Sequence, residues 1–171
     1  MNLLQQFLRT IDKTNEWVAK FLSFFIIVII LATIYEVIMR YFFGAPTIWA
    51  FEFNYLVYGP YFLLAGAYTL ALGKHVNVDI LYGKLSARRR AIVDLITAPV
   101  FFFFVYTMLV YGWRFAWNSV LVRETLSSAW GPPVYPIKLC IPLAALLLLL
   151  QGISKFIRDF HLAITSRELS S

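Results

Sequence analysis

Three ionisable side chains, Glu36, Arg40 and Glu52, fall within or beside two long apolar runs, in the stretch YEVIMRYFFGAPTIWAFE over residues 35–52. A charge at the middle of a bilayer costs about 2.5–3.5 kcal/mol on insertion scales and less toward the interface, so each of the three needs a partner. Glu36 and Arg40 stand one helical turn apart with the acid N-terminal to the base, the favourable order for an i,i+4 pair, and the cation falls near the negative end of its helix. Glu52 falls in the opening turns of the next helix, where the positive helix end favours a carboxylate, and a short turn can bring it to Arg40. Two acids sharing one arginine leave residual negative charge at that rim, answered by water or by a second chain. A proton or sodium relay through Glu52 is the competing chemistry. It needs further polar stations across the membrane, and beyond Asn54, Tyr and Thr the later runs offer few.

Other chemistry is thinly represented. The histidines are His75 and His161, and both lie outside the apolar runs, whereas a haem held within a bundle needs its axial ligands on the spans. Cys140 is the lone cysteine and is expected to fill space in the fourth run. No cluster of Cys, His and acidic residues has metal-ligand spacing, and neither a nucleophile–base pair nor a glycine-rich phosphate loop is present in the sequence. The expectation is a chain that is not an enzyme and holds no cofactor or metal. A membrane anchor for a redox complex and a self-contained channel or carrier stand as the alternatives.

The elements that must position these residues are membrane helices. Hydrophobic residues make up 61% of the 171 and charged residues 14%, far from the roughly 45–50% apolar content of a soluble domain. Four charge-free runs, 21–35, 53–72, 95–113 and 139–154, each extend to a bilayer span once flanking residues that snorkel or pair are included. The spacing predicts an all-α integral membrane protein with spans at about 17–43, 48–72, 90–114 and 134–157, together forming a domain over 17–157. Residues 1–16 alternate Leu3, Leu4, Phe7, Leu8 and Ile11 with Gln5, Gln6, Arg9, Asp12 and Lys13, the pattern of an amphipathic helix resting in a headgroup layer before turning into span one near Trp17. Residues 158–171 form a tail. The polar stretch before the first run and the lack of a small-residue cleavage pattern predict that span one is retained.

With the N-terminus inside, 11 of the 15 basic residues fall on the inner side, and only Arg40, Arg114, Arg123 and Lys138 fall outside. The positive-inside rule then predicts both termini in the cytoplasm. This distribution beside apolar runs, and not along a soluble face, also argues against nucleic acid as the partner of a chain with net charge +6. Lys84, Arg88, Arg89 and Arg90 are expected to meet phospholipid headgroups, with Ser86 as N-cap of span three and Arg90–Asp94 as an i,i+4 pair.

Local signals refine the picture. Gly44 and Pro46 end span one, and Thr47 is the expected N-cap of span two, so the first two spans form a tight hairpin. Gly59-Pro60 predicts a bend in span two, and Gly66, Ala67 and Ala71 predict a smooth face for close helix approach. The helix of span three is expected to run past Trp113 through WRFAWNSVLVRE, since no breaker precedes WGPPVYP. Trp113, Arg114, Arg123, Glu124 and Trp130 then mark an outer aromatic and charged docking face.

In order along the chain, Arg40, the short turn, Trp49 with Glu52, the small residues, and the segment His75-Val76-Asn77-Val78-Asp79 form a pattern that resembles the small membrane subunit of tripartite ATP-independent periplasmic (TRAP) transporters, the DctQ-like family. The likeness runs over roughly residues 17 to 157. It implies a bacterial inner-membrane complex in which a periplasmic binding protein delivers an organic acid to two membrane subunits. The large subunit holds the substrate and sodium sites and moves as an elevator, and a small subunit of this kind braces it and widens its footprint. Glu36, Arg40, Trp49 and Glu52 would then face the large subunit, and the outer docking face would meet the binding protein. The outer segment RETLSSAWGPPVYPIKL resembles a longer branch of the family than the sialic-acid or C4-dicarboxylate examples, so the resemblance does not carry their substrates to this chain. A separate large partner is expected.

Overall fold

The computed structural model describes residues 3–73 and 85–165, whose regular structure is helical apart from an isolated antiparallel bridge between Thr125 and Pro133. The helices are α1 (Leu3–Phe42), α2 (Ala50–Ala71), α3 (Ala87–Leu121), the short α4 (Tyr135–Lys138) and α5 (Cys140–Thr165). Among the described residues, the helices long and apolar enough to cross a membrane are α1, α3 and the α4–α5 unit. The 22-residue α2 is diluted by Asn54, Gly59, Pro60 and several tyrosines, yet at about 1.5 Å per residue it too matches a bilayer core of roughly 30 Å.

α5 is the central helix. In its most apolar stretch 44% of residues are buried, against 11% for α1 and 6% for α3, and α2 and α3 pack on it from different sides. Leu22 of α1, Leu64, Ala67 and Leu70 of α2, Val105 of α3 and Ala144, Leu147 and Leu148 of α5 form the shared core. Two glycines allow α3 and α5 to approach. A Cβ on Gly152 would lie 2.3 Å from Phe101 Cε1, and one on Gly112 would lie 2.8 Å from Ile141 Cγ2. Lipid tails are as apolar as leucine, so dense contact, and not burial from water, holds such helices together.

Several expectations are corrected. α1 does not turn near Trp17: no Gly or Pro occurs before Gly44, and the helix runs unbroken for 40 residues. The apolar side of its first turns is also not left outward, since Leu8 and Ile11 are buried on the face from which Asn15 bonds α5. α3 begins at Ala87, before the expected residue 90, while its continuation past Trp113, to Leu121, is as expected. The fourth span starts as two pieces, because Pro142 has no N–H to give the Lys138 carbonyl and the helix is interrupted at Leu139. The helix of that span continues beyond 157 into the expected tail, up to Thr165.

Gly66, expected on a face for close helix approach, is open within this chain, and so is Gly59. Added Cβ atoms there would meet nothing within 4 Å, so within this chain the close approach is made by Gly112 and Gly152. Ala67 does enter the core at 1% exposure, while Ala71 is half-buried. Pro60 lies inside an uninterrupted α2.

Candidate partner-docking surfaces

At the end of the bundle that carries the α1–α2 turn, Glu36 and Arg40 meet as the i,i+4 spacing predicts. Arg40 Nε donates to Glu36 Oε1 at 2.9 Å, and its Nη2 reaches the same oxygen. The other carboxylate oxygen accepts from the Thr47 N–H at 2.9 Å and from the Thr47 hydroxyl. Glu36 therefore fastens the turn to α1. Gly44 lies at φ +60° just beyond the helix, and the Ala45 N–H takes the Met39 carbonyl at 3.0 Å, answering one of the orphan carbonyls of the helix end. Thr47 is not the N-cap of α2. That position belongs to Trp49, and Thr47 only approaches the Ala50 N–H at 3.4 Å because its hydroxyl is drawn to Glu36. Trp49 stacks on Tyr35 across the hairpin at 5.9 Å between ring centroids. Deeper in the hairpin, Asn54 Nδ2 donates to Thr33 Oγ1 at 2.9 Å.

Glu52 is not brought to Arg40. Its Oε2 accepts from the Ser128 hydroxyl at 2.8 Å, so the acid joins α2 to the segment between α3 and α4. The idea that two acids share Arg40 is thus replaced by two separate attachments. The spacing of the first pair was readable, since i,i+4 neighbours on one helix meet wherever the helix goes. A contact between residues 52 and 128 depends on how three helices pack, and no local pattern encodes it.

The segment after α3 is compact. α3 closes with a Schellman-type ending: the Arg123 N–H bonds the Val120 carbonyl at 3.1 Å and the Glu124 N–H bonds Ser119 at 3.0 Å. The left-handed position of such an ending is usually glycine, but here it is Arg123, at φ +47°. The Leu126 N–H bonds Pro132 at 2.9 Å, the Val134 N–H bonds Glu124 at 3.0 Å, and Gly131, at φ +62°, donates its N–H to Ser128 Oγ at 3.1 Å. Glu124 pairs with Lys138 at 2.5 Å, and the Lys138 ammonium lies 4.2 Å from the centroid of the Phe115 ring. That ammonium holds the Glu124 carboxyl below the usual carboxylate range. Trp113 and Trp117 stack at 5.8 Å along α3, both about half exposed, and Arg114 lies over Tyr111. Of the expected docking residues, Trp113, Arg114, Arg123 and Trp130 are exposed, whereas Glu124 is committed to Lys138.

The opposite end of the bundle holds polar contacts that the sequence pattern did not reveal. Asn15 Nδ2 donates to Gln151 Oε1 at 2.6 Å, Gln151 Nε2 donates to Asp12 Oδ1 at 2.9 Å, and Arg158 pairs with the other Asp12 oxygen at 2.5 Å. Asn15 and Gln151 are 2% and 1% exposed, so this chain of bonds ties the start of α1 to α5 through a dry contact. Lys155 joins Asp94 of α3 to Asp159 at 2.7 Å, beside a cavity of about 210 Å³ between α2, α3 and α5. A polar residue every three or four positions on α5, at 151, 154, 155 and 158, was the only available signal. Arg88 Nε bonds the Ala163 carbonyl in the last turn of α5 at 2.9 Å, and Arg90 Nε bonds the Leu85 carbonyl. Ser86 does occupy the N-cap position of α3, without a side-chain bond to it. Arg89 is exposed, while Lys84 and the segment His75-Val76-Asn77-Val78-Asp79 lie outside the described residues.

Long apolar helices around one central span, with ion pairs at both ends, define an integral membrane component whose outer helices keep broad bare faces; Phe51, Tyr55, Phe62, Phe103 and Phe104 are each more than 60% exposed. The model of the family described as "Tripartite ATP-independent periplasmic transporters, DctQ component" matches residues 29–162. This chain belongs to that family and is a small permease subunit of a TRAP transporter, a transport component and not a member of an enzyme family. The match starts inside α1 and ends inside α5, so it takes in the hairpin, the segment after α3 and the core except Leu22. No curated protein sequence matches the chain.

Proposed function

We propose that this subunit works in a bacterial inner membrane as the static brace of a large, elevator-type partner, which takes up an organic acid with sodium after a periplasmic binding protein delivers it. The match over residues 29–162 carries this reading. Its sodium and substrate sites belong to the partner. The spans number four, α2 included, with both termini in the cytoplasm, so the α1–α2 turn and the segment 122–134 face the periplasm.

Physical features of the chain support the assignment. Lys138 and Arg158 are separated by about 30 Å along α4 and α5 at roughly 1.5 Å per residue, the thickness of a hydrocarbon core, and they sit where snorkelling cations would bracket it. The bare aromatic faces of α2 and α3, and the open glycines Gly59 and Gly66, suit helix contacts supplied by another chain. Glu36, Arg40 and Trp49 lie at the hairpin rim of that contact. The exposed Trp113, Arg114, Arg123 and Trp130 form the docking face for the binding protein. Arg88, Arg89 and Arg90 lie at the inner headgroups.

Affinity purification of the tagged chain from its native membranes, after mild crosslinking, tests the reading by mass spectrometry. A large multi-pass permease and a secreted solute-binding protein are expected together. Saturable solute or ion flux in vesicles that contain this chain alone would overturn it, as would a haem spectrum of the purified chain.

A further inference from the structure

We propose that Glu52 is a positioning residue: through Ser128 it locks the segment 122–134 onto α2, and so presents Arg123 and Trp130 in a preformed arrangement to the acidic face of a soluble protein. The inference rests on the docking role proposed above and assigns Glu52 to a different task from contact with the large subunit.

The geometry is specific. Ser128 Oγ uses its proton on Glu52 Oε2 at 2.8 Å and accepts the Gly131 N–H at 3.1 Å, so one hydroxyl joins the tip of the segment both to itself and to α2. Glu52 stands in the first turn of α2, so the bond to Ser128 is made at the N-terminal end of that helix. The stems are tied separately, by the Thr125–Pro133 bridge and by the bonds from Leu126 and Val134. Ser128 is therefore the link from the tip to the bundle. Each residue that must be ordered only on binding costs about 1–2 kcal/mol, and a tip ordered beforehand avoids that cost.

Charge identifies the partner. Glu124 is balanced by Lys138, which leaves Arg123 and Arg114 as the exposed charges of this face, flanked by Trp113 and Trp130. Arg123 occupies a left-handed conformation that costs a non-glycine residue about 1–2 kcal/mol. Strain of that kind persists where a particular side chain is needed, and here it aims a guanidinium outward from the helix end. Trp and Arg are common anchors of protein interfaces, and exposed guanidinium groups favour a partner surface of negative potential.

The test uses the intact two-subunit complex and the binding protein identified in the purification above. Ser128→Ala should lower the affinity for that protein about tenfold, equivalent to roughly 1.4 kcal/mol, while the yield of the two-subunit complex stays unchanged. Ser128→Thr, which keeps the hydroxyl, should restore binding. Glu52→Gln should weaken binding less than Ser128→Ala, and the double variant should be no worse than Ser128→Ala alone. Hydrogen exchange at Gly131 and Leu126 should quicken in Ser128→Ala. Unchanged affinity with quickened exchange would overturn the positioning role, and unchanged exchange would overturn the anchor itself. Loss of the large subunit in Glu52→Gln, with exchange unaltered, would return Glu52 to the subunit interface. A wild-type complex that binds no secreted protein would refute the docking reading instead, and the exchange measurement would still judge the anchor.

Discussion

Replacing Gly152 with alanine is the most direct probe of the α3–α5 contact. The new methyl would lie 2.3 Å from Phe101 Cε1, 3.0 Å from Cζ and 3.3 Å from Cδ1, so the ring must retreat by about 1 Å to reach ordinary contact. Phe101 is not free to do so without cost, because it meets Phe102 edge-on at 5.5 Å, and Phe102 in turn meets Phe156 at 5.9 Å. The cavity bordered by Phe101, Phe102 and Gly152 gives partial relief. Overpacking typically costs about 1–3 kcal/mol, and alanine regains up to about 1 kcal/mol of helix propensity, so a net loss of about 1–2 kcal/mol is expected. Gly112→Ala would set its methyl 2.8 Å from Ile141 Cγ2, a methyl held on a stiff β-branched carbon next to Pro142, and should also cost about 1–2 kcal/mol. Gly66→Ala meets nothing and should be neutral or slightly stabilising in the isolated chain. Thermal unfolding of the detergent-solubilised chain, followed by tryptophan fluorescence, should rank Gly66→Ala above both Gly112→Ala and Gly152→Ala, each of which should fall by roughly 3–6 °C. A Gly152→Ala protein as stable as Gly66→Ala would refute the claim that glycine sets the distance between α3 and α5.

Further outcomes follow from the end contacts. Gln151→Leu leaves the buried Asn15 amide and an Asp12 oxygen without their partner and should cost about 2–4 kcal/mol in the same unfolding assay, while Asn15→Leu with Gln151→Leu should cost less than the sum of the singles. Arg40→Ala strips Glu36 of its counter-charge at the hairpin rim and should reduce co-purification of the large subunit more than Arg167→Ala; equal yields would remove the hairpin ion pair from the interface. The Glu124 carboxyl is held below its ordinary range, so its contribution is present above the usual carboxylate pKa and is lost as pH falls through the lower folded value. Exchange at the Val134 amide, corrected for its intrinsic pH dependence, should therefore be slower in the wild type than in Lys138→Met at neutral pH, and the difference should vanish as pH falls below the ordinary carboxylate range.

What the sequence alone determined is the set of properties that depend on near neighbours. Apolar runs of bilayer length, the i,i+4 placement of Glu36 and Arg40, the Gly44-Pro46 stop and the continuation of α3 past Trp113 all follow from a few consecutive residues, and each reappears in the fold. The ordered series from Arg40 to Asp79 likewise pointed to the family that the match over residues 29–162 establishes. Tertiary packing decided the rest. Glu52 lies 76 positions from Ser128, and Asn15 lies 136 from Gln151, so which polar groups find each other is fixed by how helices stack on α5. The same holds for glycine: Gly66 carries the small-residue pattern, but Gly112 and Gly152 make the contact, because a missing side chain matters only where another helix arrives. In a lipid-like medium almost any apolar face is acceptable to its surroundings, so hydrophobicity says that a helix spans and leaves its neighbours to shape and paired polar groups.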